Sequence, residues 1–279
     1  MKEPMKFGLL TLLHYRMFHG SDPSIYRAAA SVELFILASD ILDDLEDGDA
    51  SSKVWMQCPS SIALHVASTF LSLSQHALLS SGFKTEYLLP VMEMASLQQL
   101  QSANGQMLDL HNHISDDDSY LAMVKSKSAS LLIYACMTGV MLAGRTWHPI
   151  VAEYAQEVGI AAQIKNDKRD LLRFDEKNDF LNRKRTLLTI FLLESVTPEQ
   201  QWIVDYYERR IPIEAIQGQY HQLEPICEAN GTLLYASVMM RMHYNRFVEL
   251  LDSLDEAGPF RNEFLQLLSH EGELPQIPQ

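Results

Sequence analysis

The chain has 279 residues, 47% of them hydrophobic, with 36 acidic and 22 basic side chains and a net charge of −14. That apolar content can bury one substantial core, and the acidity excludes a protein held globally on nucleic acid, which needs the opposite balance. Three cysteines, Cys58, Cys136 and Cys227, are odd in number and far apart, so they point to neither a disulfide framework nor a zinc site and fit a reducing, cytoplasmic setting.

Helical periodicity runs along nearly the whole chain. It predicts helices over about 6–18, 23–47, 59–80, 85–112, 119–144, 149–173, 185–194, 198–209, 213–228, 231–256 and 260–269. Gly and Pro stand singly near the ends of these segments, as at Gly48, Pro59, Pro149 and Pro212. The first apolar run, Phe7–Leu13, is too short for a membrane span and is followed by no small-residue cleavage site. No uninterrupted apolar run reaches about 18 residues, so no transmembrane segment is expected. Asp118 or Ser119 is the expected N-cap of the helix carrying Tyr120–Gly144. The expected organisation is one all-α domain over 1–270 and a disordered tail, Glu271–Gln279, with two prolines.

Two acidic clusters carry chemistry. Asp40, Asp43, Asp44, Glu46, Asp47 and Asp49 close the second predicted helix with no base among them. Asp43, Asp44 and Asp47 form a DDxxD spacing that puts three carboxylates on one helical face, where they repel. A hard divalent cation such as Mg²⁺ offsets that repulsion. Glu46 and Asp49 read as solvated surface, and Asp40, one turn before Asp43, equally as surface or as a partner behind the cluster. Far downstream, Asn166, Asp167 and Asp170 repeat the arrangement on another helix. Facing helices with such faces can hold Mg²⁺ and leave positions for phosphate oxygens. Eight of the 22 basic residues then follow between Lys165 and Arg185. Lys165, Arg173 and Lys177 fit a solvated helix end; Lys184 fits a phosphate ligand.

Five segments, in this order and spacing, resemble the trans-isoprenyl diphosphate synthases. They are Ala28–Asp47, the GQMLDL at 105–110, Tyr120–Gly144, Gly159–Asp170 and the Lys-Arg-Thr at 184–186. The resemblance implies a class I isoprenoid-synthase-like helical bundle with a central cavity, and an Mg²⁺-dependent enzyme. It places Lys127 and Ser128 on a diphosphate-binding Lys-Thr step and Lys184 on a second one. Gln106, Asp109, Gln163, Arg169 and Lys53 are implied to contact substrate, and Asp43, Asp47, Asp170, Lys127 and Lys184 to be catalytic. Two family features have no match. Gly20–Arg27, aligned with the GKxxRP element that binds isopentenyl diphosphate, lacks the lysine, and Ser52-Lys53 stands for an arginine pair.

Those departures, with DDLED, Trp55-Met56 and a late Lys-x-Thr-Leu, are similar to the ComQ family. Its members prenylate a tryptophan of the precursor of a competence pheromone. The resemblance implies geranyl or farnesyl diphosphate as donor and a Trp-containing precursor peptide as acceptor, whose indole C3 attacks the allylic cation. Related synthases are commonly homodimers. Ala38 and Ser39, small residues before the first motif, would leave room for a farnesyl chain. The rival readings are a short-chain prenyl diphosphate synthase, a non-catalytic partner subunit, and a terpene cyclase. The cyclase motif matches at Asn166 and Asp167 but not at Asp170 or Phe174. His111 and His113 are placed on different helix faces and read as no metal site; Met92, Met94, Met239, Met240 and Met242 read as core. Asp116–Asp118 reads as capping and loop.

Overall fold

The computed structural model describes residues 5–48, 50–173 and 178–269, and every regular element among them is helical. The α-helices are α1 (Lys6–Met17), α2 (Ile25–Asp47), α3 (Ser60–Leu79), α4 (Thr85–His111), α5 (Asp117–Val124), α6 (Ser130–Leu142), α7 (Pro149–Leu172), α8 (Leu187–Glu194), α9 (Gln201–Tyr207), α10 (Leu223–Ala229), α11 (Thr232–Asp252) and α12 (Arg261–Ser269). The all-α expectation holds. Asp49, Phe174, Lys177 and the tail 271–279 lie outside the described residues.

The apolar pattern decides which helix is central. α6 is apolar all round, and its residues from Ile133 to Leu142 are all buried, as expected of a helix enclosed by others. α1 crosses it closely: the Thr11 hydroxyl donates to Ala135 O at 3.0 Å, and a Cβ on Gly139 would lie 2.3 Å from Thr11 O. α2, α4 and α7 complete the ring around α6 with α1. A second apolar cluster lies among α5, α7, α8, α9, α10 and α11. Glu33 of α2 caps α1, accepting from Gly8 N at 2.5 Å and supplying the negative charge a helix N-terminus favours.

Three elements differ from the sequence pattern. The predicted helix 119–144 is α5, a π-turn at Lys125–Ala129, and α6. Its N-cap is Asp116, not Asp118 or Ser119: Asp116 accepts from Ser119 N at 2.8 Å and Ser119 closes the capping box. The predicted helix 213–228 is two short 3₁₀ turns followed by α10. Pro225 lacks the N–H and its ring would clash within a longer helix, so it stands in α10's first turn. α3, finally, is long and apolar enough to cross a membrane by length and composition, with mean hydropathy 1.3 over an 18-residue window of which 22% is buried. Interspersed Ser, Thr, His and Gln kept this helix from reading as one apolar run. Ile62, Leu64, Leu73 and Leu79 of α3 and Leu89, Leu97 and Leu100 of α4 are exposed.

Candidate active site

α2, α4, α6 and α7 enclose a cavity of ≈ 990 Å³. Its polar end receives the last turns of α2 and α7. Asp43, Glu46 and Asp47 line it from α2, Asn166, Asp167, Arg169 and Asp170 from α7. The two acidic segments, more than a hundred residues apart in sequence, therefore face one space. Below them the walls turn apolar, with Phe35, Leu71, Leu131, Leu132 and Val158.

Two lysines stand between the carboxylates. Lys127 Nζ lies 2.6 Å from Asp109 and 3.0 Å from Asp43. Lys184 Nζ lies 2.5 Å from Asp47 and 3.9 Å from Asp109. Asp109 thus joins both. Burial draws each ammonium pKa down, but for Lys127 the neighbouring Asp43 and Asp109, and for Lys184 Asp109 and Asp47, outweigh it and hold the pKa above the usual lysine range. Both lysines stay charged at neutral pH.

The backbone brings Lys127 there by an irregular step. Lys125–Ala129 is one π-turn, a local widening often found at functional sites. α4 packs directly on it: a Cβ on Gly105 would lie 2.1 Å from Lys127 N, so only glycine fits. Ser102 on the same helix donates to Lys127 O at 3.0 Å.

Several predicted ligands have other duties. Asp44 is 4% exposed, does not line the cavity, and accepts from Trp55 Nε1 at 2.9 Å. It shares a helix with Asp43 but points roughly 100° away, so it does not face the cavity. Asp167 is 5% exposed and has both oxygens engaged, by the Tyr120 hydroxyl at 2.6 Å and Gln163 Nε2 at 2.7 Å. Burial pushes its pKa up to about 6 against those two donors. It holds Tyr120 and Gln163 in place rather than presenting a free oxygen pair. Ser128 Oγ donates to Gln163 Oε1 at 2.6 Å, so Ser128 and Gln163 line the cavity as a linked pair. Lys53 does not line it; its ammonium lies 5.6 Å above the Trp55 ring. Arg169 does, paired to Asp170 at 2.9 Å.

Other groups come in unannounced. Glu46, taken as surface, lines the cavity and accepts from Gln106 Nε2 at 2.9 Å. Asp40 and Lys165 also line it. Asp179 lines it from the segment after α7, its pKa held well above the usual carboxylate range by burial and by Asp167. A lone Asp among polar loop residues gave no periodic signal. Ser39 lines the cavity while Ala38 is buried elsewhere. His111 and His113 are stacked, 6.0 Å between centroids, because Asn112 at φ 51° ends α4 and turns the chain back. Gly20–Arg27 lies in the α1–α2 turn, where Asp22 N donates to Tyr15 Oη at 3.0 Å. α2 starts at Ile25, eighteen residues or about 27 Å before Asp43. Its missing lysine therefore says nothing about the cavity. α1 brings Lys6, Phe7 and Leu10 to the cavity, and Lys6 is the charged one.

The donor set of Asp43, Asp47, Asn166 and Asp170 is all oxygen, which suits Mg²⁺. Among the described residues no three His, Cys, Asp or Glu side chains close around one point. That fits a cation held by one or two carboxylates, water and substrate phosphates rather than by a protein cage.

Residues 7–222 match the polyprenyl synthetase family. A tryptophan prenyltransferase ComQ of Bacillus subtilis subsp. natto is 31% identical over 269 residues, 96% of this chain and 82% of that one. The chain belongs to the ComQ branch of the polyprenyl synthetase family. The ComQ of Bacillus spizizenii is 26% identical over 91% of this chain and 90% of its own. The fold agrees: the polyprenyl synthase of Caulobacter crescentus, solved with calcium and isoprenyl diphosphate, superposes with a TM-score of 0.80 at 18% identity, covering 96% of this chain and 84% of that one. As a ComQ-branch protein the chain is an isoprenyl transferase, and the cavity at which its two acidic helix ends meet is the candidate active site.

Proposed function

We propose that the enzyme transfers a geranyl or farnesyl group from its diphosphate to the indole C3 of a tryptophan in a pheromone precursor peptide. The observation that carries this reading is the pair Lys127 and Lys184, standing between the two acidic helix ends above an apolar cavity. The relatives named as tryptophan prenyltransferases supply the acceptor.

Asp43, Asp47, Asn166 and Asp170 would hold Mg²⁺, which when bound neutralises diphosphate charge and eases its departure. Lys127 and Lys184 turn from their carboxylates to the diphosphate oxygens and stabilise the charge that grows as C1–O breaks. The bonding pair leaves with the diphosphate. The apolar walls keep water from the allylic cation. Indole C3 then bonds to C1, the backbone amide nitrogen closes onto C2, and the one amide proton passes to the diphosphate. The buried Oε1 of Gln106, without a hydrogen-bond partner among the described residues, is an acceptor for the indole N–H. The free cysteines fit a cytoplasmic enzyme, and the exposed leucines of α3 and α4 fit a homodimer interface.

A second reading, a short-chain prenyl diphosphate synthase, is favoured by Lys6 at the cavity wall, a cation suited to a second diphosphate. One assay separates them. The protein is incubated with Mg²⁺ and geranyl or farnesyl diphosphate, with either a Trp-containing precursor peptide or isopentenyl diphosphate. A peptide heavier by one prenyl unit is expected; a longer diphosphate and an unchanged peptide would overturn the proposal.

A further inference from the structure

The last helix enters the cavity wall. Phe264 of α12 is fully buried, edge-on to His14 at 5.2 Å, Tyr154 at 5.7 Å and Phe247 at 5.4 Å between ring centroids. Arg16 of α1 fixes the same helix from outside, pairing with Glu263 at 2.9 Å and lying over the Phe260 ring at 5.3 Å. Phe264, Leu267 and Leu268 share one face by their i, i+3, i+4 spacing. One turn beyond the anchored Phe264, Leu267 and Leu268 therefore reach the cavity, which both line beside Phe7 and Leu10 of α1.

Their level in the cavity follows from the helices they meet. Gly8 of α1 is bonded to Glu33 of α2, two to three turns below Asp43. Phe35, eight residues before Asp43, lines the cavity at this depth, about 12 Å along α2 from the carboxylate. A prenyl chain anchored by its diphosphate at the acidic end must pass here. Leucines at this level oppose the chain's later isoprene units, not its reacting carbon.

We infer that Leu267 and Leu268 measure the prenyl chain: the C-terminal helix, together with α1, sets which donor length the cavity accepts. This rests on the donor reading above and deepens it. A pocket that gains or loses a methylene's room discriminates by about tenfold or more. Enlarging the wall favours longer donors; filling it disfavours them.

The test uses the full chain with Mg²⁺ and the unreactive thiolodiphosphates of geranyl, farnesyl and geranylgeranyl alcohols, with dissociation constants measured by calorimetry. Leu267→Ala is expected to raise the affinity for the geranylgeranyl relative to the geranyl compound by about tenfold, and Leu268→Phe to lower that ratio. Should one variant fail the thermal-unfolding control, the other decides. Length ratios equal to wild type in a folded variant would overturn the inference while leaving the donor reading intact. If wild type bound none of the three compounds, the donor reading itself would fall, and the inference with it.

Discussion

Lys184 Nζ lies 2.5 Å from Asp47 Oδ2, a pairing across 137 residues of sequence that joins the end of α2 to the segment before α8. Lys127 likewise pairs with Asp43 and Asp109. The site's own lysines occupy its carboxylates, so they would compete with any added metal for the same oxygens.

Lys184→Ala should therefore split two properties usually lost together. Turnover should fall by about 10²–10³-fold, the effect of deleting one preorganised charge. Binding of Mn²⁺ without diphosphate, followed by paramagnetic resonance, should tighten because Asp47 loses its competitor. Weaker Mn²⁺ binding would show that the lysine does not guard the metal oxygens.

Trp55→Phe removes the indole N–H from a buried carboxylate. Losing this donor to the buried Asp44 carboxylate should cost about 1–3 kcal/mol in urea denaturation. Asp44→Asn should keep metal binding whereas Asp43→Asn should lose it, because only Asp43 lines the cavity. Equal loss in both would restore Asp44 to the metal face.

Gly105→Ala should cost about 1–3 kcal/mol by overpacking against the Lys127 backbone, and should lower turnover more than it lowers the affinity for farnesyl thiolodiphosphate, because it displaces a charge and not the apolar wall. Unaltered turnover would mean that the close approach of α4 does not position Lys127.

His14 supplies a pH dependence outside the catalytic machinery. It is fully buried, with Nδ1 2.7 Å from Leu10 O and Nε2 2.6 Å from Tyr154 Oη, and burial pulls its pKa down to about 4. The unfolded chain, with an ordinary histidine near 6.5, binds the proton more readily. Stability is thus whole above about pH 6.5 and falls as pH drops towards 4, by about 2 kcal/mol at pH 5. Urea midpoints of wild type and His14→Gln between pH 7.5 and 5 check this: the variant should lack that part of the slope.

The all-helical architecture was legible because hydrophobic period and helix ends agree along most of the chain, and so was the meeting of Asp43 and Asp47 with Asn166 and Asp170. Spacing alone does not decide which carboxylate looks inward or what engages it. Asp44 satisfies the spacing but turns from the cavity to Trp55, and Asp167 lines the cavity with its oxygens engaged by Tyr120 and Gln163; those partners are tertiary neighbours. Asp179 stood on no periodic element. Gly20–Arg27 was aligned by sequence to an element that the fold cannot place there, since the turn sits at the opposite end of α2.

The π-turn at Lys125–Ala129 has a consequence for how this chain can vary. A π-turn is an α-helix carrying one residue too many. Deleting any single residue between 125 and 129 would let α5 and α6 fuse into a regular helix, a change that helix propensity alone would favour. It would also swing everything on one side of the scar by about 100°, taking Lys127 off Asp109 or dragging Thr138 and Cys136 out of the core. The segment can therefore exchange its one exposed side chain, Lys125, but has no freedom in length: its count of residues is what aims the charge.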